Sequence, residues 1–186
     1  MIMEAPVKYI PDFIDPKTAN AFFNLAMFLD WEKRDDAPRK EYYCNDTNVP
    51  YTYGRGNGKR TYDARPWKWW ISGIRAVLEK ECSCVLDVCF LNLYEDSRNW
   101  LGWHSDDSPE MDPARPIVSV SLGQAREIQI RSLEDKSIKY SYMLEPGSAF
   151  IMLPGCQQKW EHRIPKAGFI AKPRVSLTFR GYLPSE

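Results

Sequence analysis

Arg174-Val175-Ser176-Leu177-Thr178-Phe179-Arg180 alternates polar and apolar side chains over its whole length. Such alternation marks a β-strand, because successive side chains leave an extended backbone on opposite sides. Val175, Leu177 and Phe179 share an apolar face, and Arg174, Ser176, Thr178 and Arg180 share a polar one. Solvent is the default partner for a polar face, but an arginine at each end of the run departs from that default. Six residues of strand span roughly 20 Å, so two arginines leaning inward can reach opposite ends of a small dicarboxylate. The planar guanidinium suits this task, since it binds a carboxylate through two parallel hydrogen bonds.

Outward from this run, residues 85–94, 117–122, 127–131, 137–144 and 149–153 also read as short strands. Glu145-Pro146-Gly147-Ser148 carries proline and glycine where a type II turn wants them. Helical periodicity is confined to the first half. Asp15-Pro16 offers an N-cap followed by proline, ahead of Ala19, Phe22, Phe23, Ala26 and Leu29 at helical spacing. Pro66 opens a second helix with Trp67, Trp70, Ile71, Ile74, Val77 and Leu78 as its apolar stripe. The expected fold class is α+β, mainly β: an antiparallel sandwich or jelly roll carrying helices on one side.

A chain of 186 residues fits a single domain, 1–186, with a sizeable core. Twenty-five basic and 25 acidic residues balance, which argues against a protein that holds nucleic acid through bulk positive charge. The five cysteines are odd in number and contain no Cys-x-x-Cys pair, so neither a disulfide framework nor a zinc knuckle is indicated. Reduced thiols in a cytoplasmic protein are the simpler account, with the nucleus left open. The N-terminus lacks a basic segment followed by an apolar core, and no later apolar run reaches membrane-spanning length.

From residue 31 to 64 the periodicity disappears. The segment holds Pro38-Arg39-Lys40, Tyr51-Thr52-Tyr53 and a run with three alternate glycines, Gly54-Arg55-Gly56-Asn57-Gly58, that reads as a mobile loop. Between Arg39 and Lys68, seven basic residues face three acidic ones, a local charge of +4. Aromatics interleaved with that charge suit base stacking and phosphate contact, although an ordinary solvated loop has the same composition.

Asn92-Leu93-Tyr94 leads to His104-Ser105-Asp106, a histidine and a carboxylate two positions apart. On an extended backbone both point to one face. A metal needs a further ligand, and the only other histidine is His162. Two histidines and one carboxylate form a facial triad, which leaves positions open on Fe(II). Taken alone, a His-x-Asp pair is more often a hydrogen-bonded couple at the surface.

Taken together, these pieces resemble the AlkB-type Fe(II)/2-oxoglutarate-dependent dioxygenases that repair alkylated nucleic acid. The resemblance rests on Pro38-Arg39-Lys40, Tyr51-Thr52-Tyr53-Gly54, Asn92-Leu93-Tyr94, residues 101–107, Ile117 to Gly123 with Arg126, Pro146-Gly147-Ser148, Trp160-Glu161-His162 and Arg174–Arg180, in the family's order. It implies a double-stranded β-helix with N-terminal supporting helices, its jelly-roll core over 85–182 and a nucleotide-recognition lid over 38–64. It implies Fe(II) held by His104, Asp106 and His162, and 2-oxoglutarate held by Asn92, Tyr94, Arg174, Ser176 and Arg180, with O2 as co-reactant. Arg39, Tyr51, Tyr53, Arg55 and Asp107 are the implied substrate contacts. The implied activity is oxidative demethylation of N-alkylated bases in DNA or RNA by a monomer, with a flipped base presented to the metal. Two positions depart from the family pattern: Ser176 replaces an asparagine, and Ser108 an acidic residue near the base. Rival readings are an Fe(II)/2-oxoglutarate enzyme acting on a protein or small molecule, and a metal-free nucleic-acid-binding module.

Overall fold

The computed structural model describes residues 4–35, 37–45, 50–53 and 60–183. In chain order its elements are β1 (Val7–Ile10), α1 (Pro16–Met27), β2 (Glu32–Lys33), β3 (Lys40–Asn45), β4 (Tyr51–Tyr53), β5 (Arg60–Tyr62), α2 (Trp69–Cys82) and β6 (Val88–Tyr94). They continue with β7 (Leu101–His104), β8 (Ile117–Gly123), β9 (Arg126–Ser132), β10 (Lys139–Leu144), β11 (Ala149–Met152), α3 (Cys156–Lys159), β12 (Trp160–Ile164) and β13 (Arg174–Arg180). A major antiparallel sheet runs β1-β11-β8-β13-β6-β3-β2, a minor one β10-β9-β12-β7, and β4 pairs only with β5. This is the expected sandwich with helices on one side.

The alternation in β13 places two environments back to back. Val175, Leu177 and Phe179 join a core with Ile71, Ile74 and Leu78 of α2 and Ala19 and Ala26 of α1. The opposite face is equally buried: Arg174, Ser176, Thr178 and Arg180 are each at most 8% exposed. Solvent does not cover that polar face. The minor sheet brings the inward residues Ile128, Ile130, Trp160 and Ile164 to a second core with Tyr94, Phe150 and Met152 of the major sheet.

Local signals read from the chain are realised closely at α1, where the Asp15 carboxylate accepts from the Lys17 and Thr18 amides ahead of Pro16. At the expected turn, Ser148 N donates to Glu145 O at 3.1 Å and Gly147 sits at φ +83°. A Cβ there would lie 2.3 Å from Ile14 O, so the turn needs glycine both for its backbone angle and for the approach of the chain before α1. The second helix differs from expectation. It starts at Trp69, and Trp67 lies before it, stacked on Phe179 with ring centroids 6.4 Å apart, while Val77 is exposed. Pro66 shapes the approach to this helix and does not open it.

The segment 38–64 also differs. It begins with β3, a full member of the major sheet paired to β6 along Lys40 to Asn45. Residues 41–45 are all buried, so apolar and polar side chains do not alternate and the strand leaves no period-2 trace. Among the described residues of this segment, only the paired strands β4 and β5 stand apart from the main sheets. No helix among the described residues is long and apolar enough to cross a membrane.

Candidate metal centre

Pairing of β7 with β12 sets His104 directly opposite His162. Their ring centroids are 4.2 Å apart. Asp106 follows two residues after His104, beyond the end of β7, and its Oδ1 and Oδ2 lie 3.7 Å from His104 Nε2 and 3.8 Å from His162 Nε2. One ligand atom from each of the three residues lies within 4.8 Å of the others. His104 Nδ1 is 2.8 Å from Gly102 O. A carbonyl only accepts, so that nitrogen carries the proton and Nε2 presents its lone pair to the centre.

Asp106 is held from three sides. Arg180 Nη2 donates to its Oδ1 at 2.7 Å, its amide donates to Gln157 Oε1 at 2.8 Å, and the neighbouring Ser105 hydroxyl donates to Trp160 O at 3.0 Å. Burial acts to raise the Asp106 pKa, but Arg180 and the two imidazoles outweigh it and keep the carboxyl below its ordinary value. Burial also disfavours protonated imidazole. It lowers His104, helped by Arg39 and Arg180 against the pull of Asp106, and it takes His162 down to about 3 with His104 and Arg180 contributing. The centre therefore offers one carboxylate and two neutral imidazoles, the protonation states in which these groups ligate a metal.

A cavity lined by Arg39, Tyr51, Phe90, Asn92, Leu101, His104, Asp106 and Arg180 opens beside this cluster. Further along the same face of the major sheet lies Arg174, fully buried. Its Nε donates to Ser121 Oγ at 2.9 Å, and Ser121 passes its own proton toward Leu144 O at 3.5 Å. Nη1 and Nη2 of Arg174 meet no acceptor at hydrogen-bond geometry among the described residues. Burial, with Arg126 adding to it, pushes this guanidinium down to about 10, while the nearby Tyr94 hydroxyl partly compensates; the Tyr94 ring centroid is 5.3 Å away. Two unpaired buried donors on a planar fork are the complement of a carboxylate.

The remaining residues singled out in the sequence divide between the packed interior and the surface. Tyr51 is 2% exposed, packs on Tyr43 and Phe90, accepts a hydrogen bond from Arg180 Nη1 at 2.9 Å and shares one with Ser108 Oγ at 3.0 Å. It forms cavity wall and offers no open face for stacking. Arg39 is likewise buried, with Nε 2.6 Å from Asn92 Oδ1 and Nη2 2.8 Å from Glu41 Oε1. That placement removes it from the solvent side, where phosphates would be met. Ser176 faces Ser119, Oγ to Oγ 2.9 Å. Asp107 is exposed and lines a neighbouring groove with Ser108 and Asp112. The side chain of Tyr53 and all of Arg55 lie outside the described residues.

Sequence reading missed Gln157, Glu41, Ser119 and Ser121. The two serines had a signal: Ile117-Val118-Ser119-Val120-Ser121-Leu122 alternates as β13 does. Gln157 had none, because Asp106 is brought to it from 51 residues away, and Glu41 had none, because Tyr62 reaches it only across the fold.

The chain matches the model of the 2OG-Fe(II) oxygenase superfamily over residues 6–180. It is 30% identical to alpha-ketoglutarate-dependent dioxygenase alkB homolog 3 of Bos taurus, over 94% of this chain and 65% of that protein. It is 29% identical to the Mus musculus protein of the same name, with the same coverage. The DNA oxidative demethylase ALKBH2 of Mus musculus is 27% identical over 89% of this chain and 70% of that protein. The chain thus spans just under two thirds of the alkB homolog 3 proteins. The structure of OsALKBH1 superposes with a TM-score of 0.67 over 97% of this chain and 100% of that one, at 15% identity, which is a likeness of fold.

Proposed function

This chain belongs to the 2OG-Fe(II) oxygenase superfamily, and on that premise we propose that it oxidatively demethylates N-alkylated bases in nucleic acid, DNA first and RNA second. Membership brings Fe(II), 2-oxoglutarate and O2 as reagents. The residues fit both bound groups: an ionised carboxylate and two neutral imidazoles converge within 4.8 Å, and a buried arginine stands with unpaired donors. When bound, iron and 2-oxoglutarate supply the oxidising chemistry, in which O2 is consumed, succinate and CO2 form, and an N-methyl group leaves as formaldehyde.

The rest is the work of the chain. His104, Asp106 and His162 are the metal ligands, and Arg180 keeps Asp106 ionised and fixed in direction. Arg174 takes the distal carboxylate of 2-oxoglutarate with Asn92 and Tyr94, while Ser121 steadies the guanidinium from behind. Ser176, steadied by Ser119, is a further polar contact for 2-oxoglutarate on that face. Tyr51 and Phe90 form the wall of the cavity beside the ligands and exclude water there. Tyr53, Arg55 and Asp107 are the proposed contacts for a nucleic acid strand.

The reading is carried by the conjunction of the ligand cluster with the half-satisfied Arg174 on one buried face. Nucleic acid as substrate rests on the activity for which the DNA oxidative demethylase relative is named and on the local charge of +4 between Arg39 and Lys68. One observation favours a protein or small molecule instead: Ser108, neutral and bonded to Tyr51, stands where the resemblance has an acidic residue near the base. A panel of N-methylated single-stranded and duplex oligonucleotides and methylated peptides, incubated with Fe(II), 2-oxoglutarate and O2 and scored by mass, tests the reading. Demethylated oligonucleotide is the expected product. Oligonucleotides left untouched while 2-oxoglutarate is consumed would overturn the substrate.

A further inference from the structure

Asn92 lines the cavity beside His104, and the direction of its amide decides whether it can meet a carboxylate. A carboxylate only accepts, so Nδ2 must point to it and Oδ1 must be engaged elsewhere. Arg39 supplies that engagement, since its Nε donates to Asn92 Oδ1 at 2.6 Å. A guanidinium has no acceptor, so the opposite orientation of the amide would set donor against donor. Arg39 is itself fixed from the far side, where its Nη2 lies 2.8 Å from Glu41 Oε1 and the Tyr62 hydroxyl donates to the other oxygen of Glu41. Glu41 pairs with Asn92 across the β3–β6 ladder, which places both on one face of the sheet. Arg39 is 5% exposed and Glu41 1%, so neither meets bulk solvent.

We propose that Arg39 is a positioning residue for the cosubstrate: it locks the Asn92 amide with its donor end toward the pocket, and Glu41 and Tyr62 hold Arg39 in place to do so. This rests on the reading that Asn92 meets 2-oxoglutarate. It differs from the contact to nucleic acid substrate that the resemblance implied for Arg39. Without the arginine the amide is free to turn, and its oxygen then opposes the carboxylate it should bind.

The test is a double-mutant cycle on 2-oxoglutarate affinity, measured by calorimetric titration into Ni(II)-loaded protein. Changing Arg39→Met together with Glu41→Gln removes a charge pair without altering net charge. That change should weaken 2-oxoglutarate binding about tenfold, the worth of one hydrogen bond to a charged group. In an Asn92→Ala background the same change should have no further effect. Arg39→Lys, which keeps the charge but loses the two-sided fork, should show the same dependence on Asn92 and serves where the paired change fails to fold. The salt dependence of oligonucleotide binding should keep its slope, whereas removing a phosphate contact would lower it by about 0.7–0.9. A tenfold loss that persists without Asn92, or a lowered salt slope with unchanged 2-oxoglutarate affinity, overturns the role of Arg39 alone. Failure of the parent protein to bind 2-oxoglutarate would take down the functional reading as well.

Discussion

Replacing Arg174 by methionine should stabilise the cosubstrate-free protein while crippling its hold on 2-oxoglutarate. Arg174 is fully buried, neither terminal nitrogen meets an acceptor at good hydrogen-bond geometry among the described residues, and its pKa falls to about 10. That depression corresponds to on the order of 3 kcal/mol against the charged form. The folded state has the lower pKa, so near neutrality, below both folded and unfolded values, the whole cost is present, and it fades only as pH rises through about 10. Methionine keeps much of the stem and loses the Ser121 hydrogen bond, a sacrifice of about 1 kcal/mol. A net gain of about 1–2 kcal/mol should raise Tm by about 2–4 °C per kcal/mol for a chain of this size. Binding moves the other way: loss of the charge-assisted pair costs about 2–3 kcal/mol, up to roughly a hundredfold in Kd. At a 2-oxoglutarate concentration of about one hundred times the parent Kd, the parent gains about 2.7 kcal/mol from the ligand and the variant only about 0.4 kcal/mol. Scanning calorimetry of metal-loaded protein with and without 2-oxoglutarate reads both effects. A variant that melts below the parent without ligand and keeps the parent's ligand-induced shift would refute the reasoning.

Three other outcomes follow from named contacts. Because burial lowers both His104 and His162, metal affinity should stay flat down through about pH 6, where free imidazoles take up protons; a steep fall there in a Co(II) titration would mean the rings are solvated. Gln157→Leu removes the acceptor of the Asp106 amide and should weaken metal binding at least about tenfold, as loss of a ligand's support does; an unchanged Co(II) spectrum and affinity would leave Gln157 without a part in the site. Gly147→Ala forces a Cβ to 2.3 Å from Ile14 O at φ +83° and should cost more than about 2 kcal/mol in urea unfolding, with a neutral result locating the turn elsewhere.

The chain by itself determined whatever depends on neighbouring residues along the backbone. The alternation of Arg174–Arg180, the cap at Asp15 and the turn at Gly147 are local, so they were legible without knowing what lay across the sheet. The convergence of His104, Asp106 and His162 was legible for a different reason: with two histidines in the chain, His162 had no competitor. Tertiary structure decided the rest. Strand β3 was illegible because its residues from Glu41 onward are all buried, which erases the period. The polar face of β13 could have met water or a ligand, and the minor sheet settled that by closing over it. Arg39 and Tyr51 carry the right chemistry for nucleic acid, yet both are drawn inward, by Asn92 and Glu41 in one case and by Arg180 in the other. Asn92 and Arg180 lie on strands remote in sequence, and a buried polar group goes where its acceptors and donors are, which only the packed sheets determine.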